Sequence, residues 1–436
     1  MKFQSVRKKS PPVSFRDSLF RGIAPDGGLY VPESIPFLPR TLLDRIADES
    51  LHSVGEKVLT PYIDDIPPAN LRTIVSKALN FPIPLVQLQD GIYLLELFHG
   101  PTLAFKDVGA RFMANASSYF LSQEKKELTI LVATSGDTGS AVAHGFHNVP
   151  HVTVYILYPS GQISKLQEQQ MTTLGGNIRA LEVKGTFDDC QALVKQALVD
   201  EDLLAAHGLT TANSMNMGRL LPQIVYYVSA LSQLAQNQHG SAARPTLVVP
   251  SGNFGNLTAA AYAKRMGAPI GKLVAATNAN DVVPKYLQSG VFTPKPSLRT
   301  LSNAMDVGNP SNFARLQNLY DDNIDRMRED IEAIPVSDPE TLEEIRATYR
   351  SSKYILDPHT AVGVAAARKV MARGGNQNPI IVAATAHPAK FPEIVEGAIK
   401  EAVPLPAALK EALARPKQST PIRANYGDLK DLLLAG

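Results

Sequence analysis

The sequence of 436 residues contains one cysteine, Cys190, which excludes an intramolecular disulfide framework and every multi-cysteine zinc or iron-sulfur site. That usage fits a reducing compartment, with Cys190 as a small semi-buried residue. No apolar run reaches the roughly 18 residues of a membrane span, and the basic start Met1–Lys9 leads into Ser10-Pro11-Pro12 rather than an apolar signal core. A cytoplasmic protein without membrane contact is expected. Charge of one sign is not in excess either, since 43 Lys and Arg stand against 41 Asp and Glu. No global basic field collects nucleic acid, so any anion site must be local. The motifs G-x-x-x-x-G-K-[ST], G-x-G-x-x-G and H-E-x-x-H are all missing and the nine histidines are scattered, which disfavours a Walker-type nucleotide site and predicts no built-in metal.

What the chain does contain is a repeated arrangement: an apolar β-rich run, a loop with Gly and hydroxyl or amide residues, then an Ala-rich helical stretch. Leu128–Thr134 runs into Ser135-Gly136-Asp137-Thr138-Gly139 and then Ser140–Phe146. Thr246–Pro250 runs into Ser251-Gly252-Asn253-Phe254-Gly255-Asn256 and then Leu257–Met266. Pro379–Ala384 leads to Thr385-Ala386-His387-Pro388, and apolar runs at Val152–Leu157 and Leu273–Ala276 lie between. Continuous rather than alternating apolar strands separated by helices predict an α/β, doubly wound fold with parallel sheets covered on both faces. Ligands of such sheets bind at the carboxyl ends of strands, where both Gly-rich loops fall. The charged stretch Asp321–Arg350 reads as solvated helices broken at Pro335 and Pro339, without a chemical role.

Two segments carry chemistry on their own residues. Lys106 follows Leu103-Ala104-Phe105 at the head of a helical pattern; partial desolvation there lowers an amine's pKa and makes it a candidate Schiff-base nucleophile. The bland alternative is a helix-start lysine paired with a nearby acid. Ser251–Asn256 is a phosphate cradle in type, because glycines let backbone N–H groups approach an anion and the following helix adds its dipole. A tight strand-to-helix turn would read the same way. In the similar Ser135–Ser140 loop an inward Asp137 carboxylate would repel an anion, so Asp137 is expected to point aside or accept hydrogen bonds.

Taken together, these blocks resemble the threonine synthases, members of the fold type II, tryptophan-synthase-like group of pyridoxal-phosphate enzymes. The resemblance covers Arg21–Pro32 (RGIAPDGGLYVP), His99–Arg111, Thr134–Ala141, Asn213–Gln223 (NSMNMGRLLPQ), Ser251–Asn256 and Thr385–Phe391 (TAHPAKF). It implies two doubly wound parallel-sheet domains with an added N-terminal lobe. The corresponding division is a lobe at 1–95, a smaller lysine-bearing and substrate-loop domain at 96–225, a larger cofactor-phosphate-binding domain at 226–405 and a helical tail at 406–436.

The resemblance further implies pyridoxal 5'-phosphate as cofactor, held covalently by Lys106, which then serves as the acid/base. Gly252, Asn253, Phe254, Gly255 and Asn256 would bind its phosphate, and Thr385 would face the pyridine nitrogen as a neutral partner. Thr134, Ser135, Gly136, Asp137 and Thr138 match the loop that takes the substrate α-carboxylate. The NS-x-N-x-x-R pattern falls on Asn213, Ser214, Asn216 and Arg219, with Ser214 and Arg219 expected to hold the substrate phosphate through fork geometry. Met217 stands where the family often has an aromatic residue.

The implied reaction is the last step of threonine biosynthesis, converting O-phospho-L-homoserine and water to L-threonine and phosphate by β,γ-replacement. A related phospho-lyase giving 2-oxobutanoate, ammonia and phosphate shares nearly every binding residue and stays open at this point. A serine/threonine dehydratase would have no use for the phosphate block, and a silent sensor would need a broken lysine or cradle. The choice between monomer and homodimer, and the roles of His99, His359 and His387, also stay open.

Overall fold

The continuous apolar runs assemble into two sheets. The structure, a computed structural model, describes residues 1–89, 91–124, 126–206, 208–237, 244–374 and 378–435. Five parallel strands form the smaller sheet, in the order 420–423, 178–184, 152–159, 128–133 and 209–211. Six form the larger, in the order 331–335, 273–277, 246–250, 380–384, 92–96 and 85–89. The first five of these are parallel, and the edge strand 85–89 is antiparallel. The α/β, doubly wound class read from the sequence is the class observed.

Strand 128–133 shows why its sequence is apolar at every position but Thr129. Leu128, Ile130 and Val132 enter the main core with Ala141, Val142 and Phe146 of the following helix. Leu131 and Ala133 enter a second cluster on the other face with Cys190, Leu193, Leu429 and Leu433. Strand 246–250 does the same, with Leu247 and Val249 in the main core and Val248 packed with Val362 and Ile345 behind the sheet. A strand covered on both faces leaves few positions for a polar residue, here Thr129 and Thr246 near the strand starts.

Strand order reverses at 128–133 in the smaller sheet and at 246–250 in the larger. At such a reversal the helices leave to opposite faces and open a crevice beyond the strand's carboxyl end. Loops 134–139 and 251–256 sit at these two crevices.

The N-terminal segment adds a short antiparallel pair, 3–5 with 30–32. Its Phe3, Phe15 and Tyr30 belong to the same core as both sheets. Helix 15–21 is capped by Ser14, which accepts from the Asp17 N–H, and its Leu19 carbonyl accepts from Thr210 Oγ1 and Asn216 Nδ2.

Three stretches depart from the expected organisation. Residues 85–89 and 92–96, expected within a separate lobe, pair in the larger sheet. The expected run of helices in 321–350 is interrupted by strand 331–335 at the sheet edge, because Ile331 and Ile334 are buried there amid charged flanks. The expected helical tail holds two helices, 407–414 and 426–435, but its strand 420–423 extends the smaller sheet.

The tail's packing makes Cys190 a reporter of its integrity. Burial pushes the Cys190 thiol up to about 12, and Leu429, fully buried, shares its cluster. Leu429→Ala is expected to cost about 2–5 kcal/mol in urea denaturation. In the unaltered protein Cys190 reacts with an aromatic disulfide reagent only on unfolding, and rapid reaction of the native protein would contradict this packing.

Candidate active site

Strand 92–96 ends beside strand 380–384, and the chain leaving each runs on as a short antiparallel pairing. Phe105 N–H donates to Thr385 O at 2.9 Å and His387 N–H to Leu103 O at 3.0 Å, with Ala104 opposite Ala386. Leu103 takes a left-handed conformation, φ 59°, to make the turn. Lys106 is thereby set at the first position of helix 106–124, next to Thr385. Behind it, Thr102 donates its N–H and hydroxyl to the Asp107 carboxylate at 2.9 and 2.6 Å; burial still pushes that carboxyl up.

One cavity is lined by Lys106, Thr134, Ser135, Asp137, Thr138, Asn213, Ser214, Arg219, Gly252, Asn253, Phe254, Gly255, Asn256 and Thr385. Of the residues selected from sequence, Gly136 and Asn216 are off its wall. Gly136 instead makes the turn possible: its φ is 133° and an added Cβ would lie 2.5 Å from the Gln167 side chain, a conformation open to glycine. The hydroxyl of Thr134 accepts from the N–H groups of Gly136 and Gly139 at 2.9 and 2.8 Å, while its own N–H is committed to Leu157 O. Thr134 therefore shapes the loop. Ser135 and Thr138 remain on the cavity side at the N-terminus of helix 137–146.

In the second loop Phe254 adopts φ 60° before helix 255–265, and residues 252–256 line the cavity at the N-terminus of that helix. No protein acceptor for their N–H groups is found among the described residues. Gly252 is packed so closely that a Cβ would lie 2.6 Å from the Met305 Cα. The side chains serve the loop's shape. Asn256 donates to Pro250 O at 2.7 Å, and Asn253 donates to Ser214 Oγ at 2.7 Å while accepting from the Ser311 N–H and hydroxyl.

Ser214 and Arg219 come from the segment after strand 209–211. Asn213 bridges back to the Ala133 carbonyl and N–H, and Asn216 holds Leu19 O and Thr211 O from a fully buried position off the cavity. Met217 is fully buried, so the position tolerates a thioether in place of a ring. Arg219, 3% exposed, donates to Ala212 O, but its Nε has no partner and no carboxylate pairs with it among the described residues. Burial pulls its pKa down to about 10. A guanidinium kept out of water without a counter-ion is a place for an anion.

Charge is concentrated around Lys106. Burial pulls its amine down to about 8, against the pull of Asp137 and with further lowering by Lys390 and Arg219. Asp137 Oδ2 lies 3.9 Å from the amine, and Asp137 Oδ1 accepts from Lys390 at 2.8 Å and Gln167 at 3.0 Å. Burial opposes the Asp137 charge, yet Lys390 and Lys106 hold its carboxyl well below the usual range. Accepting hydrogen bonds is one of the two dispositions expected for it.

Several residues here were not selected from sequence. Lys390 has the signal that singled out Lys106, a lysine among apolar and turn residues, and it is fully buried. Arg315, also fully buried, donates to the carbonyls of Tyr30, Ser214 and Met215 and to Asn312 Oδ1; nothing in its local sequence marks it. The open histidines separate. His359 pairs through Nδ1 with Asp357 at 2.8 Å and accepts the Ala304 N–H at 3.1 Å, holding the segment that backs Gly252. His387 accepts the Ala389 N–H, with its pKa lowered by burial, and His99 pairs with Glu96 at 2.7 Å.

The lowered Lys106 pKa is directly measurable. Pulsed acylation of the ligand-free protein, read by peptide mass mapping across pH, should give Lys106 a midpoint near 8, because the protonated amine below it is unreactive. A midpoint near that of free lysine would contradict the described desolvation.

The chain matches the pyridoxal-phosphate dependent enzyme family over residues 77–385, the threonine synthase N terminus over 2–79 and the threonine synthase C-terminal family over 360–433. It is 42% identical to the threonine synthase of Haemophilus influenzae, each covered over 100% of its length. Among solved structures it superposes on threonine synthase from Escherichia coli with TM-score 0.93 at 41% identity, covering 100% of both chains. It superposes on a PLP-bound threonine synthase from Brucella melitensis with TM-score 0.92 at 35% identity, covering 100% of this chain and 99% of the other. On these full-length matches the chain belongs to the threonine synthase family.

Proposed function

We propose that this protein is a threonine synthase that converts O-phospho-L-homoserine and water to L-threonine and phosphate with pyridoxal 5'-phosphate. The observation that carries the reading is a single cavity joining the Lys106 amine to two places for an anion: the N–H groups of 252–256, and the Arg219 guanidinium, whose Nε has no partner, with Ser214 on the same wall.

The residues fit the cofactor. Backbone N–H groups of 252–256 without protein acceptors suit its phosphate, and the close packing of Gly252 against Met305 leaves no room for a side chain under that cradle. The Thr385 hydroxyl on the cavity wall suits the ring nitrogen, and Lys106 is the amine within the same cavity. When bound, pyridoxal phosphate supplies an electron sink that acidifies the substrate carbons near its amino group.

The chain's own residues supply the rest. Ser135 and Thr138, at the N-terminus of helix 137–146, receive the substrate carboxylate, with the helix dipole favouring its charge. Arg219 and Ser214 receive the substrate phosphate, and Asn253 and Asn312 orient Ser214 from two sides. Lys106 moves protons at Cα and then Cβ; an amine near 8 exchanges them readily close to neutral pH. Overall the Cγ–O bond breaks, Cγ gains a proton to become the methyl group, and water adds its hydroxyl at Cβ. The charge on the departing phosphate stays with Arg219. Closure of the two anion places around one amine keeps these successive transfers within a single geometry.

Lys106→Ala and Arg219→Met test the assignment together. The first is expected to abolish threonine formation. The second should cost about 2–5 kcal/mol in kcat/KM for the phosphorylated substrate, the range for removing one partner of a buried charge pair. Threonine formation retained by Lys106→Ala would overturn the role of the amine, and an unchanged kcat/KM in Arg219→Met would place the phosphate elsewhere.

A further inference from the structure

We propose that Lys390 is a positioning residue for Lys106: it is the fixed counter-ion of Asp137, and by occupying that carboxylate it leaves the Lys106 amine free to give up and take back its proton. Lys390 lies in the turn after Thr385, is fully buried, and has two acceptors, Asp137 Oδ1 at 2.8 Å and Thr102 O at 2.8 Å. Lys106 stands further from the same carboxylate, at 3.9 Å, and faces the cavity.

The asymmetry of these distances decides which lysine titrates. Two ammonium groups share the buried Asp137 carboxylate, Arg219 adds a further positive charge, and Asp107, whose carboxyl burial pushes up, also acts on Lys390, so the cluster carries excess positive charge when both lysines are protonated. Burial favours its loss. The proton leaves from the amine that is further from Asp137 and exposed to the cavity, and a neutral Lys390–Asp137 pair remains. Without Lys390, Asp137 would have Lys106 as its sole cation, and a buried carboxylate with one ammonium holds that ammonium charged. Gln167 donates to Asp137 Oδ1 and Gln170 to Thr102 O, which fixes both acceptors in place.

The charged and titratable groups facing the Lys106 amine come from several elements. Asp137 lies on helix 137–146, Lys390 on the turn after Thr385 and Arg219 on the segment after 209–211. Asp306 and His359 lie on the cavity wall. Arg219 and Lys390 both disfavour the charged amine and Asp137 favours it, so removing Lys390 and removing Asp137 act in opposite directions.

The inference rests on the reading of Lys106 as the proton carrier. Its test reads the amine itself in ligand-free, full-length protein, so a wrong reaction and a wrong role for Lys390 give separate results. The pH midpoint of Lys106 acylation is followed by peptide mass mapping in Lys390→Met, Lys390→Arg and Asp137→Asn, with protection of Cys190 as the check on folding. In Lys390→Met the midpoint should rise by about one pH unit or more, the effect of an opposite charge at this range. Lys390→Arg, which keeps the charge, should keep the unaltered midpoint. Asp137→Asn should lower it by a similar amount, and should Lys390→Met not fold, Lys390→Gln read in the same way decides the matter. A folded Lys390→Met or Asp137→Asn with an unchanged midpoint overturns the proposal, since a purely structural role for the pair moves stability and not the titration of Lys106.

Discussion

Two backbone hydrogen bonds, from Phe105 to Thr385 and from His387 to Leu103, hold the lysine-bearing loop against the loop that follows strand 380–384. Their parent strands are parallel neighbours, but the chain beyond them pairs antiparallel for a few residues. This pairing sets Lys106 beside Thr385, and it brings Lys390, five residues further along, to the Thr102 carbonyl and to Asp137. A side chain anchored by backbone geometry loses little further freedom when it acts, which suits the role proposed for Lys106 as a proton carrier. The reversals of strand order then bring the other two walls, loops 134–139 and 251–256, to the same cavity.

Burying that much charge is unfavourable unless each group is matched. Arg315 is matched by carbonyls, Asp137 by two lysines and a glutamine, and Asp107 by Thr102. Arg219 differs, with its Nε unpartnered and Asp107 acting on it without forming an ion pair among the described residues. The imbalance is of the kind a phosphorylated substrate corrects on binding. Residues with similar burial thus fall into two groups: those satisfied by the fold and those, such as Arg219, with a polar atom left unpartnered among the described residues.

Much of this was legible in the sequence, for reasons particular residues make plain. Strands such as 128–133 and 246–250 declare themselves because burial on both faces removes polar positions. Lys106 stands out as a lysine in an apolar approach, and the loop at Ser251–Asn256 stands out by its glycine and amide content. Strand 331–335 was illegible because an edge strand with a single neighbour carries little apolar signal against charged flanks, and 420–423 buries only Ile422. Local pattern also cannot tell a side chain that faces a ligand from one that shapes the loop beside it. Thr134, Asn213 and Asn216 have the polar groups of a binding site, yet the Thr134 hydroxyl accepts from backbone N–H groups and the two amides donate to backbone carbonyls. Arg315 lies a hundred residues from the Ser214 carbonyl it holds, and only the fold brings the two together.

The central claim, that one amine and two anion places carry out a replacement that ends in threonine, is tested most directly by the products. Phosphorus and proton NMR of the protein with pyridoxal phosphate and O-phospho-L-homoserine in deuterated water follows phosphate, threonine and 2-oxobutanoate together. Threonine appearing in step with phosphate, with deuterium at Cα, is the predicted result. Phosphate released with 2-oxobutanoate in place of threonine would contradict it.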